Sequence, residues 1–176
     1  MIVVELQGHG HTADIDRPVT YEGMADDVSA LMKYLKIEKA DVMGYSLGGG
    51  VALQLVFRSP ELVRKLVVVS EPFSHDGWYP EVVAAFSRMG PATAQGMKYS
   101  PLTKLYPNLN WNMSFTKLGE LQRKDYDWSK QVSAITAPTL LVFADADAIR
   151  PEHMVEFYRL LGGGKRDAGL DGSGRP

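Results

Sequence analysis

The chain has 176 residues, 45% of them apolar, a formal net charge of −2 and no cysteine. That apolar content suffices for one domain with a sizeable core. The near-neutral charge, with no lysine or arginine block, excludes the electrostatic footprint of a nucleic-acid binder or a membrane-surface helix. Lack of cysteine excludes disulfides and thiolate metal sites and fits a reducing compartment. No apolar run approaches the roughly 20 residues that span a bilayer, and MIVVEL enters a strand-like run without the pattern of a signal peptide. The sequence therefore reads as cytoplasmic, with small molecules as partners and neither nucleic acid nor membrane; it leaves the oligomeric state open.

Taken in chain order, the first strand-like run is Ile2 to Leu6, followed by the loop Gly8-His9-Gly10-His11-Thr12. Thr20 is placed to N-cap a helix whose apolar positions Met24, Val28, Leu31 and Leu35 recur at spacings of three and four. Asp26, Asp27, Lys33 and Lys36 fall on its outer side. A second strand is expected over Ala40 to Gly44, a helix over 47–58 ended by Pro60, and a third strand over Leu66 to Ser70. Residues 71–130 show no strand-like run, only short helical pieces broken by Gly90, Pro91, Pro101 and Pro107, and they hold all three tryptophans, Trp78, Trp111 and Trp128. They read as a helical insert whose aromatics either line a pocket or pack their own small core. A fourth strand is expected over Thr139 to Ala144. After it, Pro151 opens a helix running through Met154, Phe157, Tyr158 and Leu161 to Gly162. Residues 165–176 are polar, glycine-rich and without periodicity, as expected of a flexible end. The four runs are continuously apolar rather than alternating, which suits parallel strands covered on both faces. Alternation of strand and helix gives an α/β class with right-handed crossovers.

The chemistry concentrates at Gly44-Tyr45-Ser46-Leu47-Gly48, a G-x-S-x-G pentapeptide between an expected strand and an expected helix. A sharp strand-to-helix turn there strains the serine backbone and lifts its hydroxyl clear of the sheet, so side chains at 44 and 48 are expected to clash. Gly49, Gly50 and Ala52 let the helix approach the sheet closely, and its N-terminus sets the Leu47 N–H beside a developing oxyanion. A merely structural Gly-Ser-Gly turn is the alternative. A serine needs a base to accept its proton and an acid to orient that base. Phe143 to Pro151 carries two candidate acids at a strand end, Asp145 and Asp147.

With the GHG loop at 8–10, the GYSLGG elbow, the helical insert and the APTLLVFADAD strand end together, the chain resembles the α/β-hydrolase superfamily along nearly its whole length. The resemblance implies a mainly parallel sheet flanked by helices, with 1–70 and 131–164 as an incomplete core and 71–130 as a cap. It favours Asp147 as the acid, four residues before the proline that opens the next helix, with Asp145 as the alternative and otherwise a turn-capping carboxylate. It implies neither metal nor organic cofactor.

The same resemblance places the catalytic histidine on a loop after one further strand, and none of the four histidines fits. His9 and His11 belong to the GHG loop, a structural element of the site's rim. His75 stands at the cap entrance, and His153 in a first helical turn is expected to face solvent. The triad histidine is thus expected to be absent from the chain, as is the loop that gives the second oxyanion donor. Met1 begins at what resembles the family's fourth strand, so the chain reads as an internal part of a longer hydrolase. The expected activity is that of a serine hydrolase acting on a carboxylic ester, lactone or related acyl substrate through an acyl-enzyme. The alternatives are a cofactor-free perhydrolase or haloperoxidase of similar fold, and a catalytically inert fragment.

Overall fold

The computed structural model describes residues 1–164; the expected flexible end at 165–176 lies outside them. The chain separates into two compact units, one of residues 1–37 and 79–125, the other of residues 38–78 and 126 onward.

In the first unit, α1 (Tyr21–Tyr34) begins where expected: the Thr20 side chain accepts from the Gly23 N–H at 2.9 Å. Its buried positions are Tyr21, Met24, Ala25, Ser29 and Met32. The expected Leu35 instead caps the helix end and is exposed, because the next residue, Lys36, leaves the helical conformation at φ 56°. The run Ile2 to Leu6 forms no strand: Met1 to Val4 are exposed, and a β-propensity run becomes a strand only where a neighbour supplies its ladder. Residues 7–17 are instead fixed by side chains. Asp14 accepts from Gln7 Nε2 at 2.8 Å and from Lys117 Nζ at 2.6 Å, and Lys117 also donates to the carbonyls of Ile15 and Arg17. Burial opposes charge on Asp14, but the hydrogen bonds from Gln7 and Lys117 outweigh it and hold the carboxyl below its ordinary range. The rest of this unit holds four α-helices, α3 (Pro80–Ser87), α4 (Pro91–Gly96), α5 (Pro101–Leu105) and α6 (Trp111–Gln122), with a short 3-10 turn at Met97–Tyr99. Each of α3, α4 and α5 opens on a proline, whose missing N–H costs nothing in a first turn. α6 is capped by the Asn110 side chain, which accepts from Met113 N at 3.1 Å, and it packs against α3 and α4.

The second unit carries a parallel sheet of order β1-β2-β3, formed by Ala40–Tyr45, Val63–Val69 and Thr139–Val142. Between β1 and β2 runs α2 (Leu47–Arg58), buried at every position from Gly49 to Val56 and packed on both strands. Its Val51, Leu53 and Leu55 join Leu66 and Val68 of β2 in the core. Removing side chains of this size from water is worth roughly 1.5–3 kcal/mol each, so the packing of α2 on β1 and β2 contributes substantially to this unit's stability. The short α7 (Ser129–Ser133) packs against α2 and α8 (Pro151–Leu160), whose Phe157 is fully buried. β2 and β3 stop at Val69 and Val142, one and two residues before their expected ends, because Ser70 turns into the left-handed region at φ 50° and residues 144–147 form a turn closed by a side chain.

Candidate active site

All three strands run the same way, so their C-terminal ends lie along one edge of the sheet, where α/β folds place their chemistry. Ser46 follows β1, Ser70 follows β2 and Asp147 sits in the turn after β3.

Ser46 takes φ 49° and ψ −124°, a conformation that costs an L-residue on the order of 1–3 kcal/mol and persists only where its surroundings enforce it. Its N–H donates to the Val69 carbonyl at 2.8 Å, and its own carbonyl receives the Gly49 N–H at 2.6 Å as α2 begins. A Cβ on Gly44 would strike the backbone of Gly48 and Gly49, so glycine is obligatory there. At Gly48 the expectation fails: a Cβ there meets nothing within 4 Å. The second close approach lies one residue on, where a Cβ on Gly49 would come within 2.6 Å of the Glu71 Cβ. The elbow is tight because its first glycine lies under the helix start and its third lies on the chain leaving β2. Tyr45, at the end of β1, is exposed, and Leu47 opens α2, whose N-terminus directs backbone N–H groups and a positive dipole end to the edge that holds Ser46.

The two aspartates differ in their surroundings. Asp147 is half-buried, and its Oδ2 accepts from Ser70 Oγ at 2.6 Å and from the Ala144 N–H at 3.1 Å. Asp145 is exposed, and its Oδ1 accepts only a local bond, from the Ala146 N–H at 3.0 Å. The structure therefore draws Asp147 to the strand that separates it from Ser46 and leaves Asp145 on the turn. Ser70 was not a sequence candidate. The serine before Glu71-Pro72 at a strand end was the available signal, but its φ of 50° and its partner 77 residues away are tertiary facts. Glu71, next to it, is fully buried.

Each histidine has partners of its own. His9 Nδ1 donates to the Gln7 carbonyl at 2.9 Å; His11 faces the Glu5 carboxylate at 3.2 Å and sets its ring edge-on to Tyr106. His75 meets the Tyr126 ring edge-on, and its backbone N–H bonds the Tyr126 carbonyl. His153 corrects the sequence expectation, because it is buried rather than facing solvent. Its ring stacks on Phe73 with centroids 3.9 Å apart, and Nε2 accepts the Phe73 N–H at 3.2 Å. The close approach of Gly77, whose Cβ would meet the ring at 2.6 Å, closes that pocket.

Burial pushes the His153 imidazole from 6.5 down to about 4 against the pull of Asp76, with Arg150 adding to the shift. Between those values the unfolded chain binds a proton that the folded chain refuses. The stabilisation is thus fully present above pH 6.5 and is lost as the pH falls toward 4, at a cost on the order of 2–3 kcal/mol. His153→Gln keeps an acceptor for the Phe73 N–H but cannot be protonated, so its thermal midpoint should vary less across that window than the wild type's. Equal slopes in the two proteins would show that another group governs the acid side.

A family model described as alpha/beta hydrolase fold matches residues 1–103. The chain is 29% identical over 177 residues to an AB hydrolase superfamily protein of Bacillus subtilis, across 85% of this chain and 65% of that one. It is 26% identical over 191 residues to the sn-1-specific diacylglycerol lipase ABHD11 of Mus musculus, across 92% of this chain and 61% of that one. The crystal structure of an enol-lactonase from Burkholderia xenovorans superposes with a TM-score of 0.64 at 22% identity, covering 88% of this chain and 66% of that one, a likeness of fold. The chain thus spans about two thirds of the length of these proteins. Among the described residues, no helix is long and apolar enough to cross a membrane.

Proposed function

Because the chain belongs to the α/β-hydrolase fold family, we propose that it carries the nucleophile, one oxyanion donor and the acid of a serine hydrolase acting on a carboxylic ester, lactone or related acyl substrate. The observation that carries the reading is Ser46 at φ 49° between β1 and α2, a strained turn sustained by Gly44 beneath the helix start. Strain of this kind is retained where it presents a group for use.

Ser46 Oγ attacks the acyl carbon, and the carbonyl electrons move to the oxygen, which the Leu47 N–H stabilises. A histidine takes the serine proton and passes it to the leaving alkoxide as the carbon–oxygen bond breaks, giving an acyl-enzyme that water hydrolyses by the reverse proton path. Asp147 holds that histidine in the tautomer that can accept. The histidine lies outside these 176 residues in this reading, which is supported by the separate engagement of His9, His11, His75 and His153. Esters or lactones as substrates are favoured by the lipase and lactonase among the similar proteins.

The test is covalent. Incubation of the full-length enzyme with nitrophenyl acetate, acid quench and peptide mass analysis should find the acetyl group on the peptide containing Ser46. Ester turnover with acetyl on a different residue, or with no acylated residue under conditions that trap one in a known serine esterase, would overturn the reading.

A further inference from the structure

We infer that Ser70 is a positioning residue for the acid: its hydroxyl fixes which oxygen of Asp147 is left to face the base. This rests on the proposed roles of Ser46 and Asp147 and deepens them.

The observations come from the end of the central strand. The Val69 carbonyl accepts the Ser46 N–H at 2.8 Å, and the Ser70 N–H donates to the Val142 carbonyl at 3.0 Å. The last residue of β2 and the one that follows it thus tie down the chain entering the nucleophile and the chain leading to the acid. Ser70 adds a side-chain bond to this, Oγ to Asp147 Oδ2 at 2.6 Å. A hydroxyl donating to a carboxylate at that length is a charge-assisted bond, roughly twice as strong as a neutral one. The Ala144 N–H converges on the same oxygen. With Oδ2 serving two donors, Oδ1 is the oxygen that remains for an imidazole N–H.

The backbone points the same way. Ser70 holds φ 50°, which a non-glycine residue adopts at a cost. That conformation ends β2 and turns the side chain toward β3 instead of continuing the pleat. A residue chosen only to end the strand would be glycine, which takes positive φ freely. Serine here retains the strain and supplies a hydroxyl.

Ser70→Gly removes the hydroxyl and at the same time relieves the backbone at the positive φ, so the hydrogen bond is lost without added backbone strain. In the full-length enzyme, relief of the positive φ should offset part of the stability lost with the hydrogen bond, so the variant should stay folded with a thermal midpoint lower by no more than several degrees. Its kcat for a nitrophenyl ester should fall roughly tenfold to a hundredfold, the effect of losing a hydrogen bond to a charged group. KM should stay within about twofold, because the hydroxyl orients the acid and does not touch substrate. Placed on Asp147→Asn, the same substitution should cost little more, since two residues acting through one bond are not additive. Wild-type kcat in Ser70→Gly, with Ser46→Ala inactive, would overturn the positioning role and leave the nucleophile assignment standing. An equal loss in both backgrounds would also overturn it. Turnover retained by Ser46→Ala would instead remove the reading on which the inference rests.

Discussion

Ser46→Ala in the full-length enzyme is expected to lower kcat for a short-chain nitrophenyl ester by on the order of 10⁴- to 10⁶-fold, the range in which removing a serine nucleophile leaves only binding and oxyanion stabilisation. The effect is large because alanine at the turn between β1 and α2 has no atom that can form the acyl bond. The fold should survive the change. Ser46 makes its described bonds to Val69, Gly49 and Gly50 through the backbone, and all of them persist in alanine. Alanine at φ 49° carries a strain similar to that of serine, so the thermal midpoint should move by only a few degrees. Turnover within about tenfold of wild type would reject the nucleophile, whereas loss of activity together with unfolding would show that the turn needs the hydroxyl for its structure.

Asp147→Asn should cost about 10⁴-fold in kcat, the loss expected when an asparagine holds the base in the wrong tautomer. The hydrogen bonds around Asp147 state why. Two donors, Ser70 Oγ and the Ala144 N–H, converge on one side of the carboxyl group. An asparagine satisfies both only by turning its carbonyl oxygen toward them, which aims its NH₂ at the base. A histidine meeting that NH₂ must present a lone pair to it, and its remaining N–H then faces Ser46 and cannot take the serine proton. Asp145→Asn should change kcat by less than about threefold, because the exposed side chain serves a local turn that the asparagine oxygen can also cap. Kinetics of both variants decide the matter, and the reverse ranking would move the acid to Asp145.

What could be read from the chain differs from place to place. The elbow was legible because its requirements are local: a glycine where a side chain would enter the following helix, and a serine at the junction of an apolar strand and a small-residue helix. The helix starts at Thr20 and Pro151 were legible for the same reason, since capping and the proline ring act within one turn. Gly48 misled because the pentapeptide gives it the same rank as Gly44. Only the path of β2 reveals that Gly49 is the residue pressed on Glu71. Ile2 to Leu6 misled because strand propensity describes a residue's fit to a ladder and cannot show whether a ladder is there.

By itself the sequence determined the α/β class, the strand–serine–helix junction and the two carboxylate candidates Asp145 and Asp147, because backbone sterics and hydrophobic periodicity act over a few residues. Tertiary structure alone decided which aspartate is anchored, which serine anchors it and where His153 points. Those outcomes depend on side chains brought together across 77 and 80 residues of chain, from Ser70 to Asp147 and from Phe73 to His153. Nothing in the local pattern encodes such a meeting. It follows from the parallel order β1-β2-β3, which sets the ends of three distant segments side by side and leaves polar groups there to satisfy one another.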